Sequence, residues 1–255
     1  MRLRGGIAAI ALSFLVAMPD GGVAAAKLPV VRVGMGDSQP PYLIAGRGGG
    51  IEYGIIEGTL TLAGYRLEPY FAPLARMHAL YRAHALDAAA TVTESSGLPG
   101  YYSQPYIAYH IAAISLAESG FRIENVADLA GHSIATFQTA RVQISDAFRQ
   151  MADANERYQE MSPQSLRNNL LYAHRVDIVI GDPVIFRYAN RELPTSIDTT
   201  QPLAIHPIFP PHPFKLAFAD QHVRDAFDRA LPRFLASEAY RELQRRYDWT
   251  PPPLR

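Results

Sequence analysis

The amino-acid sequence predicts an α/β fold. From Pro29 to Thr91, short β-prone stretches alternate with helical stripes, the order that builds a parallel sheet. About half of the side chains are apolar (48%), enough for one large core or two small ones. The charge is balanced, with 24 basic and 24 acidic residues. Nothing in that balance is built to neutralise phosphates, so nucleic acid is not an expected partner. The absence of cysteine excludes disulfides, thiolate metal sites, a cysteine nucleophile and a lipid-bearing N-terminal cysteine. Eight histidines are scattered without i, i+4 pairing, and no Gly-x-Ser-x-Gly elbow occurs. Neither a metal nor a cofactor is expected.

Residues 1–26 carry Arg2 and Arg4, an apolar run from Ile7 to Met18, and Ala24 to Ala26 ahead of Lys27. This is the layout of a secretory signal peptide cleaved near Ala26. The apolar run falls short of the roughly 20 residues that a spanning helix needs. An exported, soluble chain is therefore expected.

The first strand runs from Pro29 to Gly34. Gly34-x-Gly36 begins like a dinucleotide fingerprint, but Gln39 stands at the third glycine and Pro40-Pro41 prevent a helix from opening there. Gly46 to Gly50 reads as a hairpin connection, since the Lys-Ser/Thr ending of a phosphate loop is missing. Ile56, Leu60 and Ala63 at i, i+4 and i+7 predict a helix stopped by Gly64. A strand over 66–70, a helix with Leu74, Met77 and Tyr81 on one face, and a strand over 87–91 follow. Beyond them Thr93, Glu94, Ser95 and Ser96 make a polar loop, and Tyr101 to Tyr106 an aromatic cluster broken by Pro105. Strand, polar loop and aromatic wall in that order suggest a cleft.

Tyr106 to Leu116 is one long β-prone run. A strand is expected over 133–137, then the loop Gln138 to Arg141 and a helix with Ile144, Ala147, Phe148 and Met151 on one face. The free amides where that helix begins, with Arg141 beside them, suit an anionic ligand group. Ser162 is placed to cap a helix carrying Leu166, Leu170 and Leu171, which leads into a strand ended by Asp182. A carboxylate at the end of a buried strand is costly unless paired, which argues for a site role. The proline-rich stretch 202–213 reads as a return crossing. After it come a strand over 214–219, a helix with Val223, Phe227, Ala230, Leu231 and Phe234 bent near Pro232, and a last helix capped by Ser237 and carrying Tyr240, Leu243 and Tyr247.

Several of these blocks, in this order, resemble the family 3 extracellular solute-binding proteins, periplasmic binders typically of amino acids. The resemblance rests on Gly34, Pro41 and Tyr42, on Asp87-Ala88 followed by Thr93, on Ser103-Gln104-Pro105-Tyr106, on Asp128-Leu129-Ala130-Gly131, on Val176-Asp177 leading to Asp182, and on the C-terminal helix pair. It spans nearly the whole mature chain. It implies the type II periplasmic-binding fold, with two Rossmann-like α/β lobes, residues 28–113 plus 215–255 and residues 114–214, and a ligand cleft between them that closes by a hinge. It further implies a monomer that captures a small polar solute in the periplasm and delivers it to an ABC transporter permease, without enzymatic activity.

The ligand-binding candidates under this resemblance are Gln39, Tyr42, Arg76, Thr91, Thr93, Ser96, Thr139, Arg141 and Asp182. Two positions depart from the family pattern. Ser96 stands where the family has an arginine that clamps the ligand carboxylate through its bidentate fork, and Gln39 where many amino-acid binders have a stacking aromatic. Arg76 or Arg141 is the expected stand-in for the clamp. Asp182 matches the carboxylate that receives the ligand amine, which points to an amine-bearing solute. Two other readings stay open: a sensory binder that signals to a membrane partner, and a dehydratase-like enzyme on the same fold, with Glu94 and Asp182 as its cleft carboxylates.

Overall fold

The computed structural model describes residues 28–46 and 48–252. The expected signal peptide over 1–26 and its cleavage point lie outside these residues, as does Arg47. Among the described residues, no helix is long and apolar enough to cross a membrane.

The chain begins with β1 (Val30–Met35), α1 (Ile51–Leu62), β2 (Arg66–Phe71), α2 (Leu74–Arg82) and β3 (Ala88–Val92), then adds the short strands β4 (Tyr101–Tyr102) and β5 (Ile107–Tyr109). It continues through β6 (Ala112–Leu116), β7 (Ile134–Thr136), α3 (Ala140–Gln143), α4 (Asp146–Ala154), β8 (Tyr158–Glu160), α5 (Gln164–Tyr172), β9 (Ile178–Gly181), α6 (Pro183–Ala189) and β10 (Leu203–His206). It returns with β11 (His212–Phe218), α7 (Gln221–Leu235) and α8 (Glu238–Tyr247). Two sheets result. The first has the order β2-β1-β3-β11-β4, with β5 also paired to β11, and the second the order β10-β6-β9-β7-β8. In each, the central strands run parallel, β1 with β2 and β3, and β7 with β8 and β9. The two-lobed α/β architecture is as expected. The chain crosses between sheets at His110–Ile111 and again at Pro207–Pro211, so the expected lobe boundaries fall two residues into β6 and three into β11.

Each sheet is covered on its faces by helices whose apolar stripes fit. α1 buries Ile51, Ile55, Ile56 and Leu60, each worth about 1.5–3 kcal/mol of transfer free energy. It ends as expected, with Gly64 in the left-handed region at φ +88° just past the last turn. Ser237 caps α8, its Oγ accepting from the Tyr240 amide at 3.2 Å, and Pro232 lies inside α7.

Several expectations fail for local reasons. The helix expected to carry Ile144 is two helices, because Ser145 takes the N-cap position of α4 and accepts from the Phe148 amide at 3.1 Å. Ser162 does not cap α5: the N-cap is Pro163, without a side-chain hydrogen bond. The run Tyr106 to Leu116 is divided between two sheets by the crossing at His110. Leu203–His206, inside the supposed crossing, is a strand, since it pairs antiparallel with β6 at the sheet edge.

Two glycines set how closely α7 and α8 approach α1. A Cβ on Gly58 would lie 2.1 Å from Phe234 Cε2, and one on Gly54 would lie 2.8 Å from Leu243 Cδ1. The Phe234 ring is itself held edge-on to Tyr240 at 5.8 Å. Gly58→Ala gains about 1 kcal/mol of helix propensity but overpacks this contact, and a net loss of roughly 1–2 kcal/mol is expected. Urea denaturation measures it; a neutral or stabilised variant would contradict the packing.

Candidate functional site

The loops that leave β1, β3, β7 and β9 emerge at the C-terminal ends of the parallel strands, where open α/β sheets place their ligands. The loop after β1 reaches furthest. It carries Tyr42, buried at 1% exposure, and it can turn there because Gly50 adopts φ +110° with Tyr42 O only 2.2 Å from where a Cβ would sit. The Tyr42 hydroxyl donates to Asp182 Oδ2 at 2.9 Å. This bond joins the end of β1 in the first sheet to the end of β9 in the second.

Behind Tyr42 lies a buried carboxylate that the sequence reading does not include. Glu52, in the first turn of α1, is completely buried. Its Oε1 accepts from Thr91 Oγ1 at 2.6 Å and from the Tyr106 hydroxyl, and its Oε2 accepts from the Tyr109 hydroxyl at 2.5 Å. Tyr109 stacks on Tyr42 with ring centroids 4.1 Å apart. Thr91 sits at φ +57°, a left-handed conformation costly for a β-branched residue. It is held there by its hydroxyl on Glu52 and by its amide on the Tyr106 oxygen at 3.1 Å. A signal for Glu52 exists in the sequence: the stripe Ile56, Leu60, Ala63 extended back by one i, i+4 step lands on it.

Burial pushes the Glu52 carboxyl up from its ordinary value, against the pull of its three hydroxyl donors. Burial likewise raises Asp182, against the pull of its own donors. The Tyr42, Tyr106 and Tyr109 hydroxyls are pushed far up by burial and by the adjacent carboxylates, so they stay protonated and donate to those carboxylates.

The expected ligand anchors are brought to the two sheet ends, but most are already partnered. Besides Tyr42, Asp182 accepts from the His110 amide at 3.1 Å and, as the N-cap of α6, from the Val184 and Ile185 amides at 2.7 and 3.2 Å. Four donors fill the four lone-pair positions of a carboxylate, so no acceptor is left for a ligand amine. Thr93 and Ser96 form a capping turn, the Thr93 amide donating to Ser96 Oγ at 3.1 Å. Glu94 is exposed and paired with Lys215 Nζ at 2.7 Å. The loop after β7 holds an anion of its own: the Thr139 and Arg141 amides each donate at 2.8 Å to a different oxygen of Glu160. Arg141 is exposed, pairs with Asp153 at 2.9 Å and lies over the Tyr158 ring. Gln39 is exposed, its backbone bridged to Leu43, and Arg76 is exposed in the first turn of α2. Among the described residues, no group of three or more side chains could hold a metal ion.

Between the two sheets lies a cavity of about 620 Å³. Tyr42 and the segment Trp249–Pro252 line it from one side, α6 and Ile205 from the other, and the Pro207–Pro211 crossing borders it. Tyr42 and Asp182 are on its wall; Gln39, Arg76, Thr91, Thr93, Ser96, Thr139 and Arg141 are not.

No protein-family model matches the chain, and no curated protein matches it. Solved structures share its fold. A histidine kinase sensor domain with similarity to periplasmic binding proteins is 17% identical, with 89% of this chain and 99% of that one covered and a TM-score of 0.62. An ancestral cationic amino acid solute-binding protein is 14% identical over 86% of this chain and 95% of its own, with a TM-score of 0.66. The arginine-, lysine- and histidine-binding protein ArtJ from the thermophilic bacterium Geobacillus stearothermophilus is 18% identical over 88% and 97%, with a TM-score of 0.57. The fold is the two-lobed one of periplasmic binding proteins.

The raised Glu52 carboxyl has a pH signature. The folded protein holds this proton more tightly than the unfolded chain, so stability falls as pH rises from the ordinary value of 4.5 through the folded one. Glu52→Gln does not titrate. The stability of the native protein relative to this variant should therefore fall as the pH is raised from 4.5 towards neutrality, as followed by denaturant unfolding at several pH values. A difference independent of pH would mean that burial does not perturb Glu52.

Proposed function

We propose that the chain is an exported receptor that captures a small polar solute between its two lobes and passes it to the permease of an ABC transporter. The observation that carries this reading is the Tyr42–Asp182 hydrogen bond, which ties together the strand ends that bind ligands in open α/β sheets. A polar contact made only when the lobes meet is what a hinge-closing binder uses. On this reading residues 1–26 direct export to the periplasm and are removed, and the two lobes divide at the crossings His110–Ile111 and Pro207–Pro211, within a few residues of the expected boundaries 113/114 and 214/215. Solute capture by the amino-acid binders of the same fold supports the class of ligand. The saturated Asp182 argues against the way a free amino acid would be held there. Binding is favoured over catalysis because Glu94 is tied to Lys215 and Asp182 has no lone pair free for a substrate.

The second reading is a sensory receptor that reports lobe closure to a membrane partner, a sensing role like that of the histidine kinase sensor domain that shares this fold along 99% of its own length.

Solute capture is tested by a thermal-shift screen against amino acids, amines, small organic acids and short peptides. A true ligand at 100 times its Kd adds about 2.7 kcal/mol, or about 5–10 °C for a chain of this size. Tyr42→Phe removes the cross-lobe bond to a carboxylate and should weaken the hit by about tenfold or more. If no solute class stabilises the protein, the capture reading is lost; where one does, co-purification with a permease or with a kinase separates transport from sensing.

A further inference from the structure

The geometry points to a ligand chemistry that the anchors read from sequence do not provide: the interlobe cavity takes a small carboxylate with an apolar body and no ammonium group, and Arg187 is its anchor. This deepens the solute-capture reading and rests on it. At about 620 Å³ the cavity is of the size that encloses small molecules, usually about 300–1,000 Å³. Most of its wall is apolar, with Ile205, Ile208 and Phe209 beside the prolines of the second crossing and the Trp249 ring opposite. Trp249 Nε1 is buried close to the Tyr42 hydroxyl.

Two charged side chains line this cavity, and they differ in what they can still bind. Asp182 is filled by four donors, one of them the Tyr42 hydroxyl on the same wall. An ammonium group entering here meets no free acceptor on Asp182, and it meets the Arg187 guanidinium as a like charge. Arg187, in α6 one turn beyond Asp182, has no carboxylate within ion-pair distance among the described residues. An exposed arginine at the rim of such a cavity, without a carboxylate partner, offers its guanidinium fork to a planar carboxylate. The two arginines expected to replace the family clamp do not compete for this role. Arg141 is engaged with Asp153, and neither Arg141 nor Arg76 lines the cavity. The clamp is therefore transferred from the first lobe, where Ser96 stands, to the first helix after β9 in the second.

The chain has one tryptophan, and it lies on the cavity wall, so occupancy can be read from intrinsic fluorescence. The probes are 4-methylpentanoate, its neutral amide 4-methylpentanamide, and leucine, which share one apolar body and differ only in the charged groups. They are titrated against the full mature protein by calorimetry and by Trp249 emission. The carboxylate is expected to bind and shift the emission, with the amide and leucine each at least about tenfold weaker, the scale of a lost charge-assisted bond. Arg187→Gln is expected to cut affinity for the carboxylate by about tenfold or more and to leave the amide unchanged. Because Arg187 is exposed, this variant should keep the native melting temperature, which is checked alongside. Leucine binding more tightly than 4-methylpentanoate, or carboxylate affinity untouched by Arg187→Gln, overturns the inference while solute capture stands. Failure of 4-methylpentanoate and of 3-phenylpropanoate, tried as a larger body, to bind at millimolar concentration also overturns it, and the broad thermal screen then decides separately whether capture survives.

Discussion

A fully buried carboxylate sets the terms for the rest of the structure. Glu52 would be prohibitively costly as an isolated ion in the first core, and three hydroxyls make its burial possible. Each donor is placed by a different part of the chain. Thr91 comes from β3, at a strained left-handed backbone position; Tyr106 from the end of the aromatic cluster; Tyr109 from the last residue before the first crossing. Tying these to the first turn of α1 fixes where the chain may leave the first sheet. Tyr109 then stacks on Tyr42, and Tyr42 binds Asp182. A continuous path of hydroxyls, rings and carboxylates thus runs from the core of one lobe to the N-cap of a helix in the other.

The same tendency to satisfy polar groups internally runs through the expected binding loops. A cleft evolved to seize a free amino acid would keep an acceptor open for the amine and donors open for the carboxylate. Here Asp182 is saturated, the amides at Thr139 and Arg141 are occupied by Glu160, and Thr93 and Ser96 are spent on a capping turn. Burial would raise the Glu160 carboxyl, but those two amides, the Tyr158 hydroxyl and the Arg141 charge together hold it below its usual value. It occupies the position where an anionic ligand group was anticipated. On the wall of the interlobe cavity the charged side chain without a carboxylate partner among the described residues is a cation, Arg187, rather than an amine acceptor.

Much of this architecture is legible in the sequence, for reasons that differ from residue to residue. The alternation of strands with the stripes of α1 and α2 is strong because both faces of a parallel sheet must be covered. The order of short blocks from Tyr42 to Asp182 locates the loops at the strand ends even where each block alone is weak. What fails is local competition: one serine, Ser145, ends a helix that periodicity alone would extend, and three-residue β8 has too little pattern to be seen. The site is harder still. Position can be read from sequence, but occupancy cannot, because whether Asp182 is free for a ligand depends on Tyr42, 140 residues away. Glu52 shows the converse error. Its acidic side chain breaks the apolar stripe that marks a buried face, so the face is read as starting one turn too late.

These features bear on how a binder of this fold could work with few ligand contacts. Closing two lobes costs conformational freedom, and a ligand shifts the open–closed balance only by its differential affinity for the two states. Moving such a balance from about 1:99 to 99:1 takes about 5.5 kcal/mol. A hydrogen bond to a carboxylate such as Tyr42–Asp182 contributes roughly 1.5–3 kcal/mol of the closed state on its own. Because that bond is present without ligand, it sets the starting balance nearer to closed, and a ligand has correspondingly less than about 5.5 kcal/mol of differential affinity to supply. A clasp supplied by the protein therefore lowers the number of ligand contacts that a binder of this fold would need in order to close.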